Sequence, residues 1–411
     1  MAFHRRDVLA LLAPGLTALA AAGDEPRQPV GPAAGDFPDE DLAGAVLSID
    51  LAAVQENWRL LQQRSGRAEC AAAVKADAYG LGMVPVCRAL WAAGCRSFFV
   101  ARPREGERLR TILDEATIYV LDGLFAGEPG HFERFALRPA LISIDEARSW
   151  AAWCRSRGRR LPCAVHVDTG INRLGFTPQA VTDLVADTAT RDDLAVALVM
   201  SHLACADEPA HPMNAAQRDA FRVIRGRLPG VPASLAASSG IFLGADYTLD
   251  MVRPGLAVYG GNPTPAAANP MRPVMRLDGV VLQVREVDRG GTVGYGATWQ
   301  ALRPSRIALV GAGYTDGIPR GFSSSPDEPS AEVAIGGVRC PVVGRVSMDM
   351  LAVDVTLLEP GSVVQGTRAE IIGPSIPIDE AAGWAETIGY ELFARLGSRF
   401  ARRYTGFAPA D

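Results

Sequence analysis

The stretch "AECAAAVKADAYG" runs through small apolar residues, reaches Lys75, and then breaks into a turn ending at Gly80. An ammonium among alanines and valines loses its water at a high cost unless it is paired, neutral or covalently used. Burial lowers the pKa of such a lysine and makes it a candidate amine nucleophile for a Schiff base. From this stretch alone, a strand-end lysine snorkelling to solvent is the plainer reading. Other polar residues stand in comparable places: Asp168 and Arg173 in "VDTGINRLGF", His202 in "VMSHLACAD", Ser238 and Ser239 in "LAASSG", and Arg253 in "MVRPGLAVYG". Singly they are weak signals. His202 reads equally well as a structural histidine, and Ser238 with Ser239 and Gly240 as a helix cap.

What joins them is the pattern of elements. Short apolar runs bounded by turn residues recur: "CAAAV" before Lys75, "SFFVA", "TIYVL", "PALIS", "CAVHV" before Asp168, "VALVM", "ASLAA", and "LAVYG" ending at Gly260. Between them, "MVPVCRALWAAG" and "IDEARSWAAWCRSRG" repeat apolar residues at spacings of three and four, with "REGERLRTIL" a weaker case. Alternating strand and helix predicts an α/β fold with a parallel sheet, and eight such units fit a closed (β/α)₈ barrel. An open doubly wound sheet is the alternative. In a barrel, active-site groups occupy the C-terminal ends of the strands, where Lys75 and the other polar residues fall; Arg253 reads as standing just before the last strand.

After about Met275 the pattern changes. "GVVLQVREVDRGGTVGYGATW" and "AEVAIGGVRCPVVGRVSMDMLAVDVT" are strand runs cut by glycine turns, a mainly β C-terminal domain. It closes with "IDEAAGWAETIGYELFARLGSRF", helical at first, with Gly389 as an expected interruption. The expected organisation is residues 1–45 as export signal and flexible linker, 46–275 as barrel, and 276–411 as β domain. Hydroxyls, glycines and backbone N–H groups in the seventh and eighth units suit a phosphate, as barrels often hold one there. A lysine on the first strand facing such a site suits pyridoxal 5′-phosphate. "GAGYTDG", Gly311 to Gly317, lacks the lysine of a nucleotide-phosphate loop.

Composition narrows the partners. The 411 residues carry a net charge of −5 with no basic stripe, which argues against nucleic acid. Seven cysteines are scattered without the close pairing of a zinc or redox motif, so no metal site is expected. The N-terminus "HRRDVLALLAPGLTALAAAGDE" joins Arg5 and Arg6 to an apolar run from Val8 to Ala22 and small residues at A-x-A spacing. That is the architecture of an export signal, similar to a twin-arginine leader, and the apolar run is too short for a stable membrane anchor. The expected location is periplasmic, and cytoplasmic if the signal does not work.

The motifs "AAVKADAYGLG", "DTGINRLGF", "SHLACADEP", "VRPGLAVYG", "VGYGATW" and "VGRVSMDMLAVDV" come in the order and approximate spacing of the alanine racemase family, which the chain resembles from about Val46 to Tyr404. The resemblance implies a pyridoxal 5′-phosphate enzyme interconverting L- and D-alanine, which in bacteria supplies D-alanine for the cell wall. It makes Lys75 the Schiff-base lysine and one acid/base group, and Tyr295 in "GYGAT" the other. It places Tyr79, Ser238, Gly255, Leu256 and Tyr390 at the phosphate, Arg253 at the pyridine nitrogen, Arg173 at the phenolic oxygen, and His202 against the ring and Arg253. It places Met348 at the substrate carboxylate with Asp349 beside it, and Arg173 within reach of substrate. Two bases flanking a planar carbanion allow a proton to leave Cα on one face and return on the other. Because the family's second base comes from the partner subunit, the resemblance also implies a homodimer with shared sites.

One position departs from the family. Where members often carry a carbamylated lysine two residues before the aspartate of "DTG", this chain has His166, so Arg173 needs another partner, such as a bound anion. A broad-specificity amino-acid racemase is the competing reading, since one methylene changes discrimination by only about 1–3 kcal/mol. A non-catalytic cofactor-binding protein would need the barrel alone, and a decarboxylase on a similar barrel would have a different second domain.

Overall fold

The computed structural model describes residues 39–124, 129–324 and 331–407. The expected export signal, and most of the linker after it, lie outside these residues. Asp39–Leu42 is a single helical turn. The remainder, from Ala43 onward, forms one compact unit.

Short parallel strands make the barrel. The run before Lys75 is split into Glu69–Cys70 and Ala72–Ala73; it is followed by Ser97–Val100, Thr117–Val120, Leu137–Leu141, Pro162–His166, Ala195–Met200 and Ala233–Ser234, each paired with the next. The eighth strand is Met251–Val252, paired in parallel with Glu69–Cys70. Backbone hydrogen bonds seal the ring: Ala71 N–H donates to Val252 C=O at 3.0 Å, Ala73 N–H to Pro254 C=O at 2.8 Å, and Arg253 N–H to Ala236 C=O at 3.0 Å. This corrects the sequence reading, which took "LAVYG" as the last strand. Leu256–Tyr259 is instead a 3₁₀ turn that packs on the end of the barrel. Pro254, with no N–H to donate, ends the strand, and Arg253 therefore stands at a strand's C-terminal end like the other polar candidates.

The helices between strands begin where the chemistry of their first residues allows. Asp50 caps Leu51–Arg64 by accepting the Ala53 N–H, and Ser143 caps Ile144–Ser156 through the Glu146 N–H. The weakly periodic "REGERLRTIL" does form a helix, Pro103–Ile112, because proline at its first position pre-sets φ and costs no hydrogen bond. Strand residues such as Phe98, Phe99 and Val100 are completely buried between the barrel interior and this layer.

The mainly β region is organised on Met275–Val287, a strand of 13 residues. Ala45–Asp50 pairs antiparallel with its first half, and Ala401–Thr405 adds parallel to the far side of Ala45–Asp50. Ser305–Val310 and Arg368–Ile372 also pair with the long strand, which bulges between Leu277 and Asp278 and between Val281 and Gln283. Two helices precede the strand Ala401–Thr405, Ile378–Trp384 and Gly389–Ala394; the break falls at 385–388 and Gly389 opens the second helix. These elements reach the barrel mouth. Arg402 donates to Gly80 C=O at 2.6 Å and Tyr404 Oη to Leu81 C=O at 3.0 Å, gripping the turn that follows Lys75 from behind.

Candidate active site

Lys75 opens a turn of unusual hand. Ala76, Asp77, Ala78 and Tyr79 all have φ between 53° and 55°, four successive non-glycine residues in the left-handed region. Each costs roughly 1–2 kcal/mol relative to right-handed backbone. The turn is held from several sides: Ala78 N–H donates to Val74 C=O at 2.9 Å, and Gly80, with φ 78°, closes it by donating to Ala76 C=O at 2.7 Å. A side chain at Gly80 would collide with Phe393 C=O, 2.4 Å from the nearest Cβ position. The outcome is that Lys75 and Tyr79 face one cavity.

That cavity, about 590 Å³, lies at the C-terminal mouth of the barrel. Lys75, Tyr79, Arg173, His202, Ser238, Arg253, Gly255 and Tyr390 line it, together with Phe99, Asp122 and His166. Leu256 lines a neighbouring cavity of about 440 Å³ that shares Arg173, His202 and Tyr390 with the first. Ser239 faces that second space. Asp168 turns away to order its own loop, accepting the Gly170 and Asn172 N–H groups at 2.8 and 3.2 Å.

The charges are set by burial. Desolvation lowers the Lys75 pKa, Arg173 lowers it further, and Asp122 and Glu105 pull it back. Arg253 is buried and its partners are neutral: it donates to Ser201 C=O at 2.6 Å and to Ser234 Oγ, and lies 3.5 Å from His202 Nδ1. Burial brings it down to about 10, so it remains a cation at neutral pH. Beside it His202 is pushed down to about 3 by burial and by Arg253, and His166 to about 4 by the same causes in the same order. Both imidazoles are neutral. Neither ring nitrogen of His166 has a hydrogen-bond partner among the described residues.

Opposite these groups is a hydroxyl-rich corner. Ser238 Oγ accepts the Gly255 and Ala257 N–H groups at 3.0 and 3.2 Å. The Tyr79 ring lies 4.7 Å from Tyr259 and 6.1 Å from Tyr390, which the helix Gly389–Ala394 brings from the β region. Burial raises the Tyr79 pKa, and raises that of Tyr390 to about 12, so both hydroxyls stay protonated and can donate.

Three predicted residues lie elsewhere. Tyr295 is 73% exposed and Met348 53% exposed, and Asp349 pairs with Arg399 at 2.8 Å. Their loops share one face of the β region: a side chain at Gly296 would meet Arg345 at 2.8 Å, and the Thr315 N–H donates to Met348 C=O at 3.1 Å. Sequence reading missed Asp122 and Glu105 in the electrostatics of Lys75. Asp122 ends "TIYVLD" directly after a strand, the same signal that singled out Lys75.

A closed barrel with a lysine, a buried arginine and a hydroxyl corner at its mouth defines a class of barrel enzymes that bind a phosphorylated cofactor through an amine. The family models described as alanine racemase N-terminal domain and alanine racemase C-terminal domain match residues 49–263 and 274–404. Among relatives, an alanine racemase of Methylobacterium sp. (strain 4-46) is 49% identical over 361 residues, 88% of this chain and 98% of its own. One of Rhodospirillum rubrum is 46% identical over 369 residues, 89% of this chain and 97% of its own. The crystal structure of alanine racemase from Bartonella henselae with covalently bound pyridoxal phosphate superposes with a TM-score of 0.84 at 35% identity, covering 88% of this chain and 100% of that one. The chain belongs to the alanine racemase family.

Proposed function

We propose that the cavity binds pyridoxal 5′-phosphate and that the protein interconverts L- and D-alanine there. The observation that carries this is the convergence on one cavity of an amine with a lowered pKa, a buried cationic arginine, and donors suited to a phosphate. The residues fit the group. Gly255 leaves a cradle that a Cβ would fill, since that atom would stand 2.2 Å from Tyr79 Oη. Tyr79, Tyr390, Ser238 and the backbone N–H groups of Gly255 and Leu256 would hold the phosphate, Arg253 the pyridine nitrogen, and Arg173 the phenolic oxygen. When bound, the cofactor joins an amino group as an imine and draws off the electron pair left at Cα.

The chain's own residues do the rest. Lys75 Nζ would hold the cofactor covalently and would take or return the Cα proton on one face, and its lowered pKa favours the neutral amine that this role needs. Arg253 stays protonated, so a second positive charge on a cofactor nitrogen it held would be unfavourable, which would moderate electron withdrawal by the bound group. His202, neutral beside Arg253, orients the guanidinium without adding charge.

A second proton carrier must come from the opposite face. We assign it to Tyr295, supplied by a second copy of the chain, and place Met348 and Asp349 near the substrate carboxylate in the same copy's contribution. The support is that Tyr295 and Met348 are both large and exposed and that neither lines its own chain's cavity. Export by the Arg5-Arg6 leader is also part of the proposal. Six of the seven unpaired cysteines are buried, so a chain that folds before crossing keeps its thiols from oxidative pairing. Among the described residues, no helix is long and apolar enough to cross a membrane. The test of function is to assay purified holoenzyme with each amino acid in turn. Alanine turnover well above all others supports the reading; comparable turnover of longer side chains favours a broad-specificity racemase, and no turnover of any rejects both.

A further inference from the structure

The left-handed turn from Ala76 to Tyr79 presents both Lys75 and Tyr79 to the cavity, and such backbone persists only where its surroundings over-determine it. One carboxylate does much of this. Glu105 Oε1 accepts the Ala76 N–H at 2.7 Å, while Oε2 accepts the Ala101 and Arg102 N–H groups at 2.8 and 3.0 Å. The Arg102 contact is ordinary helix chemistry, a glutamate at the third helical position reaching back to the cap. The Ala76 contact is not. It spans 29 residues and ties the backbone beside the lysine to the end of the neighbouring strand Ser97–Val100. From the same helix, Arg108 reaches Asp77 at 2.8 Å, and Asp77 also accepts the Met83 N–H at 2.9 Å. Helix Pro103–Ile112 thus holds the turn at two points, and at Ala76 it does so through Glu105.

We infer that Glu105 is a positioning residue for racemisation, its carboxylate locking the turn so that the Lys75 amine is aimed at the substrate's Cα. This rests on the reading of Lys75 as a proton-transferring amine. The lysine shares its cavity with Tyr79, Asp122, His166, Arg173, His202, Arg253 and Tyr390; Arg173 opposes its charge, and Asp122 and Glu105 favour it. Glu105 therefore acts through geometry and through charge, and two substitutions separate these. Glu105→Asp keeps the charge but is one methylene too short to span Ala76 and Ala101 together. Glu105→Gln keeps the length and removes the charge.

The experiment measures kcat, KM and the pH profile of kcat for both variants as holoenzymes, beside Lys75→Ala. For Glu105→Asp, kcat should fall about ten-fold or more with KM within about three-fold, and the acid limb of the kcat profile should stay in place. For Glu105→Gln, kcat should also fall and the acid limb should move to lower pH, because a negative charge that stabilised the ammonium is gone. A merely structural role would not move that limb. Parental kcat and an unmoved limb in both variants, beside an inactive Lys75→Ala, would overturn this inference alone. An active Lys75→Ala would overturn the reading of the lysine beneath it. If Glu105→Gln does not accumulate as folded holoenzyme, the split between kcat and KM in Glu105→Asp decides.

Discussion

A Cβ placed on Gly255 would stand 2.2 Å from the hydroxyl of Tyr79 and 3.4 Å from the Cβ of Ala73. Gly255 is not in the left-handed region, so the requirement for glycine here is one of space and not of backbone freedom. The close approach packs the phenol against the backbone N–H groups beside Ser238. Gly255→Ala should therefore displace Tyr79, cost about 1–3 kcal/mol of stability, and weaken retention of the cofactor about ten-fold or more. Equilibrium dialysis of the holoenzyme and a thermal melt check both; unchanged cofactor affinity would remove Tyr79 from the phosphate site.

Lys75→Ala should abolish the covalent link to the cofactor and reduce turnover by about a thousand-fold or more, since a positioned acid/base and the nucleophile are lost together. The near-ultraviolet absorbance that stays with the protein after borohydride reduction and denaturing gel filtration reports the link without relying on activity. Retention of a borohydride-stable adduct would assign the amine elsewhere.

Tyr295→Phe should leave cofactor content unchanged while lowering turnover about a hundred-fold, and it should slow Cα exchange with solvent deuterium unequally for the two enantiomers. Mixed with Lys75→Ala subunits, it should regain activity, because one site in each mixed dimer then has both groups intact. No recovery after demonstrated subunit exchange would mean that each site is built from one chain.

The two buried histidines make stability depend on pH. His166 and His202 have folded pKa values of about 4 and about 3, below the ordinary value near 6.5, so the unfolded chain binds more protons in that interval. Their contribution is fully present above pH 6.5 and is lost as pH falls toward 4 and then 3. The melting temperature should drop across this window. In His166→Asn the drop should be shallower, by up to one proton in the uptake on unfolding; an unchanged slope would mean that His166 is not the neutral, desolvated group described above.

Replacing Arg5 and Arg6 with lysine should confine the activity to the cytoplasmic fraction, whereas the parent should appear in the periplasm with a mature N-terminus near Ala22. Full-length parent found only in the cytoplasm would defeat the export proposal.

Much of this protein was legible along the chain because the relevant physics is local. A run such as "SFFVA" between turn residues has to be buried, and a lysine closing an alanine-rich strand is conspicuous wherever the strand goes. Strand ends in a barrel share one mouth, so identifying the strands was enough to bring Lys75, Arg173, His202 and Ser238 together. The last strand escaped because periodicity favours the longer apolar run: "LAVYG" looks more like a strand than "MV", and only closure against Glu69–Cys70 decides which pairs.

What depended on three dimensions was hand, protonation and where Tyr295 stands. No propensity predicts four left-handed residues in "KADAYG"; they exist because Glu105, Phe393 and Arg402, distant in sequence, hold and crowd that turn. The neutral states of His166 and His202 follow from burial beside Arg253, a property of packing that residue identity does not contain. That Tyr295 is exposed and does not line its own chain's lysine cavity is likewise a fact of the folded β region. Sequence determines which groups are available and which backbone they sit on, because those are set by neighbours a few residues away. Desolvation and long-range contact are set by residues tens to hundreds of positions apart, and only the tertiary structure brings those together.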